Sequence, residues 1–295
     1  MIPFVKMHGC GNDFIVVRAA DLDGVPLAPA ELARRVCDRH YGIGADGLLA
    51  HAPVRGAGAP RVRMQYWNAD GSRAEMCGNG ARCVVRDAVE RDGLTSPLIL
   101  QTDAGEHTAE YSVEPDGMVR VALSMGMPRW QPDVIPALLS ASPPLDGAVL
   151  DTPLAVEGAD LRVSAVSMGN PHAIVFVQDR AALARLSLPG VGRALAEHAA
   201  FPAGANASFV ALEDGALHLR VWERGVGPTL ACGTASCAAL AVAVRSGRLR
   251  TPRAIVHLPG GAVEVWQEDC GTMWLAGPAT SIASGTLSAE LIGRR

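Results

Sequence analysis

Arg61-Val62-Arg63-Met64-Gln65-Tyr66-Trp67 leads through Asn68-Ala69-Asp70-Gly71 to Cys77-Gly78-Asn79-Gly80, and Leu217-His218-Leu219-Arg220-Val221-Trp222 leads through Glu223-Arg224-Gly225-Val226-Gly227-Pro228 to Cys232-Gly233-Thr234-Ala235. Each opening run alternates polar and apolar residues, the period of a half-buried strand. Trp67 stands ten residues before Cys77, and Trp222 stands ten before Cys232. The two cysteines are 155 positions apart. Behind each Cys-Gly pair the pattern becomes helical, predicting helices over 79–92 and 234–246. Gly93 and Gly247 follow as stop signals.

A second echo supports a duplication. Gly11-Asn12-Asp13-Phe14-Ile15-Val16-Val17 resembles Gly169-Asn170-Pro171-His172-Ala173-Ile174-Val175, at an offset of 158. Matching order in two halves predicts an α/β fold of the α+β kind. It would have two pseudo-symmetric domains, each a curved, mostly antiparallel sheet or barrel wrapped around a central helix. Cys237 to Val244 is apolar on nearly every side, as a helix buried all round must be. Pro128 to Ala148, rich in proline and poor in periodic apolar residues, is expected to cross between the halves.

At 295 residues the chain has room for two cores. A net charge of -4 provides no basic field for nucleic acid or an anionic membrane. No apolar run spans a bilayer and the first residues read directly into a strand, so a cytoplasmic location is expected. Seven cysteines (10, 37, 77, 83, 232, 237 and 270) form no CxxC pair, which argues against a structural metal site or a disulfide framework. Lys6 is the only lysine. Pyridoxal phosphate is held as a Schiff base on lysine, and Lys6 lies in an apparent strand with no phosphate loop nearby. A cofactor-free protein is therefore expected.

Cys77 and Cys232 both stand in front of a helix whose first turn holds small residues. The first N–H groups of a helix lack internal partners and carry partial positive charge. Small side chains let a carboxylate reach them, and the same field favours thiolate over thiol. Each half thus supplies a carboxylate hook beside an activatable sulfur. Two such halves suit inversion of a C–H centre, which needs a base on one face and an acid on the other. Cys10, Cys37, Cys83, Cys237 and Cys270 read as ordinary structural cysteines.

These residues resemble the diaminopimelate epimerases. The likeness is carried by Lys6 to Phe14, Gly42-Ile43-Gly44-Ala45-Asp46-Gly47, Asn68 to Ser72, Met76 to Cys83, Gly169-Asn170-Pro171-His172, Glu223 to Gly227, Ala231 to Thr234 and Gly277-Pro278-Ala279-Thr280. It implies a pyridoxal-independent epimerase that interconverts LL- and meso-diaminopimelate for lysine and peptidoglycan precursor synthesis. It also implies a homodimer of two-domain subunits: residues 1–125 with a strand returning over about 277–295, and residues 126–276. By matching position, Cys77 and Cys232 are the acid/base pair. Gly78, Asn79, Gly233 and Thr234 hold the reacting carboxylate. Asn12, Asn68, Asn170, Asn206, Glu223 and Arg224 bind the rest of an amino-acid substrate. The resemblance gives His172, with Glu223, a part in tuning a thiolate.

Local sequence leaves other readings open. Asparagine beside glycine or proline is commonly a turn former, His172 reads equally well as a satisfied loop residue, and Glu223 as a solvated carboxylate. Gly47 stands where several relatives carry a substrate-touching glutamine. Pro228 replaces a usual glutamate, Ala235-Ser236 a usual Gly-Ala, and Cys10 a common leucine. Three rival functions follow: a cofactor-independent racemase of a single-headed amino acid on the same scaffold, a non-catalytic binder, and a thiol-redox protein. Arg224 with Asn68, Asn170 and Asn206 favours a two-headed substrate over the first.

Overall fold

A computed structural model describes residues 1–139 and 147–293. Of the expected crossing segment, residues 140–146 lie outside the described residues. The chain divides into two compact units, Met1–Leu123 with Ala276 onward, and Ser124–Leu275.

The first unit contains β1 (Ile2–Gly9), β2 (Asn12–Arg18), α1 (Pro29–Cys37), β3 (Gly47–Val54), β4 (Arg61–Asn68), β5 (Arg73–Ala74), α2 (Gly78–Asp92), β6 (Leu98–Thr102), β7 (Gly105–Val113) and the start of β8 (Val119–Gly126), whose last residues belong to the second. The second contains β9 (Thr152–Val156), β10 (Ala159–Ser167), β11 (Pro171–Phe176), α3 (Arg180–Arg185), α4 (Arg193–Ala196), β12 (Asn206–Glu213), β13 (Ala216–Glu223), β14 (Gly227–Pro228), α5 (Gly233–Arg245), β15 (Arg253–Leu258) and β16 (Gly261–Gln267). Across β17 (Met273–Pro278) the chain returns to the first unit, where β18 (Thr280–Leu287) pairs antiparallel with β1.

The pairing scheme is the same in both units. β1–β2 is antiparallel, β2–β3 parallel, β3–β4 antiparallel, β4–β6 parallel and β6–β7 antiparallel. The series β10–β11, β11–β12, β12–β13, β13–β15 and β15–β16 repeats these directions in order. The two repeat offsets have a local cause. Residues 55–60 join β3 to β4, whereas Asp214 and Gly215 alone join β12 to β13, both at positive φ as a two-residue hairpin of type I′ requires. The shorter hairpin removes four residues, so the offset falls from 159 between the starts of β3 and β12 (Gly47 and Asn206) to 155 between those of β4 and β13 (Arg61 and Ala216).

Each sheet wraps one helix. α2 touches β1, β2, β3, β4 and β7, and α5 touches β10, β11, β12, β13, β15 and β16. Burial on all sides explains the composition of α5, whose residues Ala235 through Ala243 are all buried. Gly93 closes α2 in the left-handed conformation at φ 72°, as its sequence position suggested. The outer face of each sheet is covered by helices that the periodicity did not announce. α1 packs Leu32, Ala33 and Val36 onto Ile15, Leu48 and Leu287, while α3 and α4 place Leu183 and Leu195 near Phe209.

Gly47 begins β3 opposite Asn68. A Cβ there would enter the Tyr66 ring and approach the Trp67 carbonyl oxygen to 2.7 Å. A side chain at this position is thus closed to this backbone. Gly47→Gln is expected to lower stability by about 1–3 kcal/mol through overpacking. Leu240→Ala, which empties a fully buried position of α5, is expected to cost about 2–5 kcal/mol. Urea denaturation with a constant m-value checks both.

Candidate active site

Because β2 and β3 run parallel and β4 antiparallel to them, the starts of β2 and β3 and the end of β4 share one edge of the sheet. The polypeptide then passes through β5 to the start of α2. Asn12, Gly47, Asn68 and Cys77 occupy these four places. In the second unit Pro171, Asn206, Glu223 and Cys232 occupy the corresponding four. A repeated topology thus supplies two half-sites from strand ends and one helix start each.

In the first half-site Cys77 is the N-cap of α2, extended at φ -142° and ψ 118°, with no side-chain cap bond. Its carbonyl accepts from the Ala81 amide at 2.7 Å, while its sulfur donates to Asn12 Oδ1 at 3.5 Å. Asn79 Nδ2 donates to the same oxygen at 3.2 Å. Asn12 Nδ2 donates to Asp46 Oδ2 at 2.7 Å, which fixes the orientation of its amide. Asp46 also receives Arg39 at 2.9 Å. Asn79 Oδ1 accepts from Arg82 Nη2 at 2.8 Å. Asn68 is engaged in its turn, donating to Ser72 Oγ at 2.9 Å.

In the second half-site Cys232 is the N-cap of α5, likewise without a side-chain cap bond. Its sulfur lies 3.5 Å from Thr234 Oγ1, which accepts from Asn170 Nδ2 at 3.5 Å. His172 lies on β11 rather than in a loop, fully buried, with Nε2 2.9 Å from Asn170 Oδ1. Burial first, and then the nearby Arg224 charge, push the imidazole down to about 3. The ring is therefore neutral, and because it faces an amide oxygen, Nε2 carries the proton. His172 acts on Asn170. Asn206 Oδ1 accepts from the Arg224 amide at 2.9 Å. The Arg224 guanidinium donates to Ala203 O at 2.9 Å, is exposed, and has no acidic partner among the described residues.

Glu223 ends β13 and accepts from Thr229 Oγ1 at 2.5 Å. Burial raises its carboxyl above the usual range, against hydrogen bonds from Thr229 and Cys232 that lower it. The Cys232 thiol is pushed well above its ordinary value, chiefly by burial and then by the Glu223 charge. Thr234 and the Ala235 amide pull the other way. At Cys232, then, the helix-start field expected to favour thiolate is outweighed, and the sulfur is held as a thiol. Helix-end dipoles are worth about 0.3–1 kcal/mol at exposed sites, less than the desolvation of a fully buried anion.

Two contributors escaped the sequence reading. Asp46, which orients Asn12, lies inside the quoted Gly44-Ala45-Asp46-Gly47 run. Arg82 sits three residues after Asn79 on a helix whose neighbouring positions are buried, a signal in itself.

His172 makes the second unit acid-sensitive. Its folded value lies below the unfolded one near 6.5, so its contribution is complete above that pH and lost as pH falls toward 3. His172→Gln is expected to flatten stability against pH over that interval, by an amount on the order of a few kcal/mol. Urea unfolding at pH 7 and pH 4.5 reads the difference.

Comparison with known proteins bears on the chain as a whole. The family model described as diaminopimelate epimerase matches residues 4–131 and 164–282. Diaminopimelate epimerase 1 of Nostoc sp. is 42% identical over 293 residues, covering 97% of this chain and 99% of that protein. The diaminopimelate epimerase of Desulfitobacterium hafniense is 40% identical over 292 residues, covering 96% and 97%. Among solved structures, a PhzF-family phenazine biosynthesis protein from Bacillus anthracis superposes with a TM-score of 0.68 at 18% identity, over 97% of this chain and 99% of that one. A hydroxyproline epimerase from Agrobacterium vitis gives 0.65 at 18% identity, over 97% and 92%. Those two share the fold. Identity near 40% across almost the whole length carries more, and this chain belongs to the diaminopimelate epimerase family.

Proposed function

We propose that this protein converts LL-2,6-diaminopimelate to meso-diaminopimelate without pyridoxal phosphate, with Cys77 and Cys232 as the acid/base pair. The product would serve lysine and peptidoglycan precursor synthesis. Family membership supports the reaction. The observation that carries the residue assignment is the repeat: each unit sets a cysteine at the N-cap of its buried helix, without a side-chain cap. The reacting carboxylate then lies against Gly78 and Asn79 and against Gly233 and Thr234, where helix-start N–H groups meet the charge that develops as the α-proton leaves.

The step needs no further reactant. One sulfur, as thiolate, takes the α-hydrogen as a proton, and the electron pair of that C–H bond delocalises into the carboxylate. The other sulfur, as thiol, delivers its proton to the opposite face. The product leaves with the two protonation states exchanged, and the reverse reaction restores them. Cys232, held as a thiol by burial and Glu223, is suited to the donor role in that resting state. Lys6 is an unsuitable Schiff-base residue, since its Nζ donates to Gly44 O at 2.6 Å and pairs with Asp13 at 3.1 Å.

Asn12, Asn68, Asn170, Asn206, Glu223 and Arg224 hold the substrate, with His172 orienting Asn170. Arg224, charged and without an acidic partner among the described residues, suits the distal carboxylate through a bidentate grip. That feature favours a two-headed amino acid over proline-like substrates. A cytoplasmic homodimer completes the proposal, and the exposed residues 281–286 of β18 offer one surface for it.

Incubation with LL-diaminopimelate in deuterium oxide tests the mechanism. Wild type is expected to yield meso product carrying solvent deuterium at the inverted carbon. Cys77→Ala and Cys232→Ala are each expected to lose at least about a hundredfold in epimerisation, the lower range for removing a positioned acid or base. Near-normal turnover in either variant would falsify the assignment. Activity on proline or histidine with none on diaminopimelate would replace the substrate.

A further inference from the structure

Among the described residues Arg82 is the largest fully buried side chain. Its Nε donates to Pro278 O at 3.1 Å, and its Nη1 to Gly78 O at 3.4 Å. Nη2 donates to Asn79 Oδ1 at 2.8 Å and lies 3.7 Å from Cys10 Sγ. Every one of these partners is neutral, and among the described residues Arg82 has no carboxylate at ion-pair distance. A buried cation without a counter-ion is costly, so its persistence calls for a role. Room for the guanidinium is provided by Gly9, where a Cβ would meet Nη2 at 2.8 Å and the Asn79 carbonyl oxygen at 3.1 Å.

The hydrogen bonds around Arg82 have a fixed direction. Arginine only donates, so Asn79 must turn its oxygen toward Arg82 and its Nδ2 toward Asn12. Asn12 in turn offers Oδ1 to both Asn79 and the Cys77 sulfur. The charge also acts on sulfur nearby, since it opposes burial at the thiols of Cys10 and Cys83.

We propose that Arg82 is a positioning residue of the first half-site: its guanidinium sets the orientation of Asn79 and Asn12 around Cys77, and its unneutralised charge beneath the start of α2 favours an anionic ligand, the amino-acid carboxylate, at Gly78 and Asn79. This rests on the epimerase reading for the identity of the ligand, but the arrangement around Cys77 is independent of it.

Arg82→Lys keeps the charge and loses the planar fork, whereas Arg82→Met loses both. With diaminopimelate, Arg82→Met is expected to lower kcat/KM by about a hundredfold and Arg82→Lys by about tenfold, the lysine loss lying mostly in KM. In an Asn79→Ala background Arg82→Lys is expected to have little further effect, because it acts through Asn79. As a readout separate from turnover, alkylation of Cys77 by iodoacetamide, followed by peptide mass mapping across pH, is expected to shift its midpoint upward in Arg82→Met, to shift far less in Arg82→Lys, and to leave Cys232 unmoved. Kinetics within threefold of wild type together with an unmoved alkylation midpoint would overturn the proposal. Equal losses in both variants that follow melting temperature alone would overturn it too, as a purely structural role. If Arg82→Met fails to fold, the lysine variant and its cycle with Asn79→Ala decide, and full additivity there counts against us. If wild type shows no turnover of diaminopimelate, the functional reading falls while the alkylation profile still judges Arg82.

Discussion

A helix enclosed by its own sheet must still begin somewhere, and the first backbone N–H groups at that beginning have no partner inside the helix. Both units meet this constraint in the same manner. Cys77 and Cys232 cap α2 and α5 with extended backbone and without a side-chain bond. Gly78 and Gly233, with no side chain, leave those N–H groups open to approach. Once the helix is buried, the strands around it bring their ends to that same opening, and the polar residues at those ends become the lining. The chemistry follows from where the helix starts.

The two half-sites share topology and differ in electrostatics. Around Cys77 the neighbours are amides, oriented by Asp46 on one side and Arg82 on the other. Around Cys232 they are a hydroxyl, a carboxylate and a neutral imidazole acting through Asn170. Duplicated backbones with diverged side chains thus give the two cysteines different surroundings. Asn79 and Thr234, at the same position of the repeat, are one such divergence beside the sulfur.

Much of this was legible in the sequence because the signals were local or repeated. The alternation of Arg61 to Trp67 and of Leu217 to Trp222 gave β4 and β13, and the all-apolar run after Cys237 gave a helix buried on every side. The cysteine positions came from the repeat itself. What escaped was set by three-dimensional neighbours. Arg82 is distant in sequence from Cys10 and Pro278, which it contacts. His172 reads as a loop residue after proline, yet the parallel pairing of β11 with β12 buries it beside Asn206. The balance at Cys232 was invisible because burial and the Glu223 charge, which outweigh the helix field, depend on packing that no spacing encodes. The outer helices α3 and α4 are too short for periodicity to declare.

The pairing of β18 with β1, from Ile2 opposite Leu287 to His8 opposite Thr280, has a consequence for biosynthesis. On the ribosome the first unit emerges early but lacks β18 until the whole of the second unit has been translated. The second unit is contiguous in sequence and has all its strands sooner. Vectorial synthesis should therefore let the later-translated unit mature first, while β1 waits with one edge bare for β18 to leave the exit tunnel. Such a delayed closure exposes a strand edge that chaperones would be well placed to shield.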